Sequence, residues 1–191
     1  MRNAPALLEV VRREFRDCRE VLEIGSGTGQ HAVAFGAAMP HLEWQTSDLA
    51  ENHDGIRAWV EHAGLPNVLA PVTLDVRTAA TAPASVDAVF AANTAHIMDI
   101  DAVRAMFALV GDALRTAGVF CLYGPFRTGG RFNTASNEAF DASLRQRDPV
   151  MGIRDLERLD EFGANCGLER RRLYAVPSNN CVAVWRRRVT G

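Results

Sequence analysis

A glycine-rich turn near the start of the chain is the first feature that could do chemistry. The run from Gly25 to Gly29 (GSGTG) follows the apolar stretch 21–24 and is followed by Gln30, so its spacing is GxGxG and the dinucleotide form GxGxxG is not completed. Glycines let a backbone approach a ligand closely, and the free N–H groups of a helix that we expect to begin near Thr28 attract an anionic group. The turn therefore favours a nucleoside that carries a carboxylate and no pyrophosphate, although the same sequence could be only a tight turn between a strand and a helix.

Three carboxylates accompany this turn. Glu23 precedes it and could orient the loop or reach the ammonium group of a ligand through water. Asp48 comes 19 residues after Gly29, at the end of the next apolar stretch, where a carboxylate can accept hydrogen bonds from ribose hydroxyls. Asp75 follows the third stretch and could accept a hydrogen bond from the exocyclic amino group of adenine. Either aspartate could instead cap a helix or be a solvated loop charge. The predicted cofactor site consists of Glu23, Gly25, Ser26, Gly27, Gly29, Asp48, Asp75 and Asn93.

Polar residues also follow the fourth apolar stretch of the chain. Ligands of parallel sheets bind at the carboxyl ends of the strands, so Asn93 and His96 should lie beside the same ligand. A nucleoside of this kind that carries a methyl sulfonium can lose the methyl group by displacement. That reaction needs two aligned reactants and, for some nucleophiles, a base. We expect Asn93 to line the reaction site and His96 to be the catalytic base, because imidazole has a suitable reference pKa. A lone histidine after a strand is at least as often a pocket wall or a hydrogen-bonding group at a helix start.

The run 123–133 (YGPFRTGGRFN) is too rich in turn formers for a core and too rich in aromatics for a linker. It predicts a substrate-side lid within residues 124–166. The expected substrate contacts are Tyr123, Phe126, Arg127 and Asn137. An acidic substrate could be bound by Arg127, Arg131, Arg145, Arg147 and Arg154. Ion pairs with Asp141, Asp148 or Asp155 would explain most of these arginines equally well.

The composition excludes several other kinds of chemistry. All 21 basic residues are arginine, which removes the lysine of P-loops, of Schiff bases and of short-chain dehydrogenases. The five histidines lack metal-ligand spacing and the four cysteines form no CxxC pair, so we expect no metal site. A net charge of -2 and the absence of a long apolar run make duplex nucleic acid and membranes unexpected partners. Reduced thiols and an amphipathic start unlike a signal peptide favour a cytoplasmic location.

Strand-like and helix-like stretches alternate along the 191 residues, which implies parallel strands joined by helices in one domain, 1–191. The predicted strands are 21–24, 42–47, 68–74, 85–92 and 119–123, followed by a hairpin of 168–176 and 181–188 around the turn 177–180. The predicted helices are 6–17 within a leading segment 1–18, one that ends before Pro40, 51–63, 99–116, and two within 124–166. A loop with Pro83 separates the third and fourth strands.

Six segments of the sequence carry a resemblance to a known family. They are GSGTGQHA (25–32), the strand-end Asp48, ANTAHI (92–97), YGPF (123–126), SNEAFDASLRQRDPVMGIRD (136–155) and PSNN (177–180). On these segments the chain resembles, over nearly its whole length, the domain-of-unknown-function 938 family, also called the methyltransferase-like protein 26 family. The sequence has Ala95 before His96 where bulkier apolar residues are usual.

The resemblance implies an α/β, Rossmann-like class I methyltransferase fold with a seven-stranded sheet of order 3-2-1-4-5-7-6, strand 7 antiparallel, and helices on both faces. It also implies contacts to S-adenosylmethionine at Glu23, Gly25, Gly27, Asp48 and Asn93. We therefore expect a methyltransferase that uses S-adenosylmethionine, releases S-adenosylhomocysteine and acts on an unidentified small-molecule acceptor. The alternative is a regulatory protein that binds either nucleoside without catalysis, since the sequence offers no decisive base. A nicotinamide-dependent oxidoreductase is disfavoured by Gln30 and by the missing lysine.

Overall fold

The computed structural model describes residues 4–79 and 84–189, in which helices and strands alternate. The helices are α1 (Ala4–Glu14), α2 (Gln30–Ala38), α3 (His53–Ala63), α4 (Ile100–Ala113), α5 (Ala135–Arg147) and α6 (Leu156–Asn165). The strands are β1 (Glu20–Ile24), β2 (Glu43–Asp48), β3 (Val68–Thr73), β4 (Val86–Ala92), β5 (Leu114–Gly124), β6 (Phe126–Thr128), β7 (Arg131–Phe132), β8 (Arg154–Asp155), β9 (Leu168–Val176) and β10 (Asn180–Arg187). The predicted loop at Pro83 lies outside the described residues. Among the described residues, no helix is both long enough and apolar enough to cross a membrane.

Seven of the strands form one sheet in the order β3-β2-β1-β4-β5-β10-β9. The first five are parallel, and β10 is antiparallel to both of its neighbours. This is the predicted order, with the last strand inserted between the fifth and the sixth. The hairpin that makes the insertion turns at Ser178 and Asn179, whose φ angles of 62° and 61° suit the right-handed twist of the flanking strands.

The sheet separates two apolar cores. One core contains side chains of α4 and α6 and the other contains side chains of α1 and α2. Side chains on a strand point alternately to opposite faces, so Phe120 and Leu122 of β5 belong to the first core and Cys121 belongs to the second. Trp185 and Trp44 are completely buried, one in each core. Burial on both faces explains the nearly continuous apolar runs of the central strands.

Two helices end three residues earlier than predicted. The helix predicted over 99–116 ends at Ala113, because the carbonyl oxygens of Asp112 and Ala113 accept hydrogen bonds from the N–H groups of Ala84 and Ser85, which directly precede β4. Leu114 already pairs with β4, so the residues predicted as the last helical turn begin β5. The leading helix, predicted over 6–17, ends at Glu14, after which the chain turns towards β1.

The segment predicted as a lid has two parts. Residues 125–155 contain α5 and a small sheet of order β7-β6-β8, whose strands are too short to be recognised by an alternating pattern. The remainder, α6, packs against α4 and β9 and places Leu159 and Phe162 in the first core. This helix is therefore part of the layer that covers the main sheet, and the part that covers the strand ends stops before Leu156.

Candidate functional site

A cavity of 570 Å³ opens where β1, β2, β3 and β4 end. Cavities of about 300 to 1,000 Å³ typically bind small molecules. Its lining includes the predicted residues Gly25, Gly27, Asp48, Asp75 and Asn93. It also includes residues that were not predicted, among them Asn52, Arg77, Thr94, Ile97, Met98, Asp99, Asp148 and Val150. Four predicted cofactor or catalytic residues, Glu23, Ser26, Gly29 and His96, lie outside this lining. The four predicted substrate residues, Tyr123, Phe126, Arg127 and Asn137, also lie outside it.

The glycine turn needs glycine for two different reasons. Gly25, Gly27 and Gly29 have φ angles of 70°, 60° and 79°, a left-handed conformation that side chains other than glycine rarely adopt. A Cβ atom on Gly25 would also lie 2.7 Å from Cγ2 of Thr94, whereas one on Gly27 would meet open space. The turn is therefore packed on one side and open at Gly27, so a ligand can approach its backbone.

Asp48 lies directly against this turn. Its Oδ2 atom accepts a hydrogen bond from the backbone N–H of Gly27 at 2.8 Å. Its Oδ1 atom accepts hydrogen bonds from the backbone N–H of Leu49 at 2.8 Å and from Nδ2 of Asn52 at 2.7 Å. A carboxylate oxygen accepts about two hydrogen bonds, so one acceptor position remains on Oδ2 after the contacts within the described residues are counted. The turn and the carboxylate thus meet at one edge of the sheet, as the sequence predicts.

Glu23 and Ser26 support the turn from behind. Oε2 of Glu23 accepts hydrogen bonds from Oγ of Ser26 at 2.9 Å and from Nε1 of Trp44 at 3.1 Å. Ser26 is joined to β2 through two hydrogen bonds with the backbone of Ser47. Glu23 is 1% exposed, and this burial raises its pKa to about 7. Of the two roles considered for Glu23, orientation of the loop is the one its contacts support.

Asp75 lines the cavity together with Arg77 and Asp99. Oδ1 of Asp75 accepts hydrogen bonds from the backbone N–H of Arg77 at 3.0 Å and from its Nε at 3.3 Å. The backbone hydrogen bond is the main cause that lowers the pKa of Asp75. The same guanidinium lies 3.6 Å from Oδ2 of Asp99, whose other oxygen caps α4 by accepting from Ala102. Arg77 therefore bridges the end of β3 to the start of α4.

Asn93 ends β4 with an abrupt change of direction. Its φ angle is 58°, a conformation that asparagine tolerates better than most other residues. Its backbone N–H donates to the carbonyl of Tyr123 at 2.9 Å, which fixes the end of β4 to the end of β5. The chain that follows runs along the wall of the cavity, and Thr94, Ile97 and Met98 all line it.

His96 lies beneath α5, beside the cavity. It is 7% exposed, and its ring packs edge-on against Phe140 with centroids 5.4 Å apart. Burial is the main cause that lowers its pKa to about 4, and the positive charge of Arg154 adds to the effect. The imidazole is therefore neutral at pH 7, as a proton acceptor must be, but it is a weak base.

Arg154 holds the backbone on both sides of this histidine and joins two segments that line the cavity. Its guanidinium donates to the carbonyl of Ala95 at 2.9 Å, to that of Val150 at 2.8 Å and to that of Met98. The backbone N–H of Gly152 donates to the carbonyl of His96 at 2.9 Å. Together these bonds join the segment after β4 to the segment after α5. Two roles were considered for Arg154, substrate binding and an ion pair with aspartate. Its contacts support neither, because its partners are backbone carbonyls.

The predicted substrate residues differ in how accessible they are. Phe126 is in the first core, and Tyr123 is in the second, where its hydroxyl accepts from Nδ2 of Asn180. Asn137 donates to Oδ1 of Asn133 and to the carbonyl of Asn179, so it ties α5 to the turn of the hairpin. These contacts give the three residues structural roles.

The arginines predicted to bind an acidic substrate also differ in their contacts. Arg145 pairs with Asp141 at 2.7 Å, which agrees with the structural role considered for it. Arg127 is half-buried and lies over the ring of Phe132 at 5.5 Å. Its buried Nε has no hydrogen-bond partner within residues 4–79 and 84–189. Arg127 is therefore the predicted substrate residue that remains best suited to contact another molecule.

The cavity is strongly acidic. Four of its lining residues are aspartates and one is an arginine: Asp48, Asp75, Asp99, Asp148 and Arg77. Ile97 and Val150, which are 48% and 50% exposed, add an apolar surface at its mouth. Opposite charges attract most strongly where protein walls limit the access of water. The cavity is thus suited to a ligand that carries positive charge and an apolar portion.

Residues that the sequence analysis missed complete the site. Asp148 and Val150 reach the cavity from the far end of α5, and Arg77 reaches it from the segment after β3. The pair Asp148-Pro149 is a turn signal at the end of a helix, but a turn signal does not show which strand ends the turn will cover. Thr94 could have been predicted from its position after a strand, because it lies between Asn93 and His96, which were both predicted.

Comparison with known proteins gives a family and a fold. The model of a family described as "Protein of unknown function (DUF938)" matches residues 1–187. An O-methyltransferase family protein from Burkholderia thailandensis is similar in structure, with a TM-score of 0.80 and 15% identity over 98% of this chain and 57% of that chain.

Two further solved structures have the same fold. One is an O-methyltransferase family 2 protein from Planctomyces limnophilus in complex with apigenin, with a TM-score of 0.83 and 15% identity over 97% of this chain and 56% of that one. The other is PigF with SAH, with a TM-score of 0.81 and 15% identity over 95% of this chain and 55% of that one. This chain spans little more than half the length of each protein, and at such identities the likeness shows the α/β Rossmann-like fold.

Proposed function

The chain belongs to the DUF938 family, and from that premise and the geometry of the cavity we propose that it is a methyltransferase that uses S-adenosylmethionine and acts on a small-molecule acceptor. The observation that carries the proposal is the acidic cavity at the glycine turn. S-adenosylmethionine has two positive groups, the sulfonium and the ammonium, and one carboxylate. A cavity lined by four aspartates and one arginine favours such a cation over a dinucleotide, whose pyrophosphate is negative.

The residues of the cavity fit the parts of this nucleoside. Gly25 and Gly27 offer backbone at the carboxyl end of β1 to the amino acid portion, since the turn is open at Gly27. Oδ2 of Asp48 has one acceptor position for a ribose hydroxyl. Asp75, at the end of β3, is the proposed acceptor for the adenine amino group, and Asn93 is the proposed polar contact at the reacting methyl group.

When bound, the sulfonium supplies an electrophilic methyl group, which a nucleophile takes in an in-line displacement that leaves S-adenosylhomocysteine. The contribution of the chain is to align the two reactants and to exclude water. Ile97 and Val150 give the mouth of the cavity an apolar wall for the acceptor. We propose His96 as the group that accepts the proton of the acceptor, since its buried imidazole is neutral at physiological pH. Its pKa of about 4 suits an acceptor whose proton becomes acidic as the methyl group is transferred.

A small acceptor is supported by the form of the site. The cavity is a bounded space of 570 Å³ with apolar residues at its mouth, as is usual for sites of small molecules. One protein of the same fold was solved in complex with apigenin and another with SAH. By analogy with these neighbours, we propose a small molecule with a nucleophilic oxygen as the acceptor.

Titration calorimetry with S-adenosylmethionine tests the proposal. The wild-type protein is expected to bind this nucleoside and S-adenosylhomocysteine, and excess NAD is not expected to compete. A folded sample that gives no binding heat with either nucleoside would refute the function, and effective competition by NAD would favour an oxidoreductase instead.

A second function, binding of the nucleoside without catalysis, is favoured by one observation. The pKa of His96 is lowered to about 4, and His96 does not line the cavity. A regulatory protein would need the acidic cavity but would not need a base. Formation of S-adenosylhomocysteine with any compound of a metabolite library would exclude this second function.

A further inference from the structure

Thr94 holds a buried hydroxyl that the proposed function has not used. The residue follows Asn93 at the end of β4, lines the cavity and is 4% exposed. Its Oγ1 atom is buried and makes no hydrogen bond to any residue within 4–79 and 84–189. Buried hydroxyl groups are nearly always hydrogen-bonded, so an exception beside a cavity calls for a partner that comes from outside the chain.

The position of Thr94 indicates which part of a ligand that partner would be. Its Cγ2 methyl group packs so closely on the glycine turn that a Cβ atom on Gly25 would lie 2.7 Å from it. A 120° rotation about χ1 of threonine moves the hydroxyl into the position of the methyl group, and the methyl group into that of the β-hydrogen, without moving the backbone. That rotation would place the hydroxyl at Gly25, beside the backbone to which the amino acid portion of the nucleoside is assigned.

The backbone carbonyl of Thr94 already has hydrogen-bond donors other than this hydroxyl. Its carbonyl accepts hydrogen bonds from the N–H groups of Ile97 and Met98, which fixes the chain after β4. The side chain is therefore held at the junction of β1 and β4 while its hydroxyl remains available. In parallel sheets such a junction at the strand ends is the usual place for a ligand.

We propose that the Thr94 hydroxyl hydrogen-bonds the amino acid end of the bound nucleoside, through its ammonium or its carboxylate, and so selects ligands that carry this end. The inference rests on the proposed function, because it requires the nucleoside to occupy this cavity. It makes Thr94 a specificity-determining residue: 5′-methylthioadenosine, which has the adenine, the ribose and the sulfur but lacks the amino acid end, gains nothing from the hydroxyl.

Two substitutions test the inference. Thr94→Val keeps the shape of the side chain and removes the hydroxyl, and Thr94→Ser keeps the hydroxyl. Calorimetry should show that Thr94→Val binds S-adenosylmethionine and S-adenosylhomocysteine about 10-fold or more weakly than the wild type, the loss usual for a hydrogen bond to a charged group. The same variant should bind 5′-methylthioadenosine as the wild type does, and Thr94→Ser should bind all three nearly as the wild type does.

Unfolding of the ligand-free variants separates this role from a structural one. Since the hydroxyl has no partner within the described chain, Thr94→Val should be at least as stable as the wild type in urea. Unchanged affinity of Thr94→Val for S-adenosylmethionine, or an equal loss for 5′-methylthioadenosine, would overturn the inference while leaving the proposed function intact. Failure of the wild-type protein to bind S-adenosylmethionine would refute both.

Discussion

At the scale of single residues, Asp48 has two roles, and both depend on its carboxylate. It holds the glycine turn through Gly27, and it is the proposed partner of the ribose. We predict that Asp48→Ala weakens binding of S-adenosylmethionine by about 1.5 to 3 kcal/mol, or about 10- to 150-fold, as measured by calorimetry. The exposed Asp101, which pairs with Arg104 at the start of α4, provides the matched control Asp101→Ala, which should bind as the wild type does. Unchanged affinity of Asp48→Ala would mean that the ribose is held elsewhere.

His96 is the residue whose role depends most on its surroundings. If it accepts the acceptor's proton as proposed, His96→Ala should reduce the rate of S-adenosylhomocysteine formation about 100-fold or more, with nucleoside binding unchanged. Because burial lowers its pKa to about 4, the wild-type rate should not fall through protonation of this group until the pH approaches 4. His62→Ala, at an exposed position of α3, is the control. A loss of less than about threefold would assign His96 to the wall of the site.

Glu23 makes stability depend on pH. Burial raises its pKa from 4.5 to about 7, so the folded protein keeps this carboxyl protonated at pH values where the unfolded chain has ionised it. This contribution to the free energy of unfolding is complete below about pH 4.5 and is lost as the pH rises through about 7; the two pKa values differ by an equivalent of about 3 kcal/mol. Glu23→Gln has no proton to lose, so its stability should decline less than that of the wild type between pH 5 and 8, a range that includes most of the interval between the two pKa values.

Urea denaturation at several pH values measures this difference. The exposed Glu51→Gln, which lies in the turn before α3, is the control and should follow the wild-type profile. Parallel profiles for Glu23→Gln and the wild type would contradict the assignment.

The sequence predicted residues at this scale where their position follows from a strand end. Asp48 is the last residue of a strand of the parallel sheet, Asp75 and Asn93 each follow one, and all three line the cavity. Glu23 and Ser26 have the right place in the chain but their side chains point behind the turn, which no spacing in the sequence reveals. Arg154 was grouped with exposed arginines because a sequence does not show that carbonyl groups from two distant segments surround a guanidinium.

At the scale of elements, the bonds of Arg154 join two segments that line the same cavity. Arg154→Met would leave three carbonyl groups without their donor, and we predict a loss of about 2 to 4 kcal/mol in the free energy of unfolding. Hydrogen exchange of residues 94–98 and 150–153 should accelerate together, since one side chain holds both. Arg147→Met, at an exposed position of α5, is the control: it should change the free energy of unfolding by no more than about 0.5 kcal/mol and leave hydrogen exchange of both segments as in the wild type. Exchange that accelerates in only one of the two segments would contradict this coupling.

Element order was predictable, whereas two features that depend on tertiary contacts were not. The alternation of apolar stretches, with turns between them, was sufficient for the parallel strands and for the hairpin at Ser178 and Asn179, whereas the order of the strands in the sheet was implied by the family resemblance. The end of α4 depends on hydrogen bonds from Ala84 and Ser85, which are distant in sequence. The strands β6, β7 and β8 have three residues or fewer, so they show no periodicity that a pattern could detect.

At the scale of the whole molecule, ligand binding should stabilise the fold. A ligand that binds only the folded state at 100 times its dissociation constant adds about 2.7 kcal/mol, which for a chain of this length raises Tm by about 5 to 10 °C. Thermal unfolding with S-adenosylmethionine should show this increase, and the increase should be smaller for Asp48→Ala at the same concentration. NAD at that concentration should leave Tm unchanged. No shift with S-adenosylmethionine would contradict the proposed occupant of the cavity.

The place of β10 in the sheet has a consequence for biosynthesis. It follows every other described strand in the chain, yet it lies between β5 and β9 and contacts both. A nascent polypeptide that has emerged from the ribosome only as far as residue 179 therefore presents the open edge of β5 to other nascent chains and to chaperones. β10, Asn180–Arg187, must emerge from the ribosome before the sheet can close, so nascent chains stalled before that point should be an intermediate that proteases cut readily.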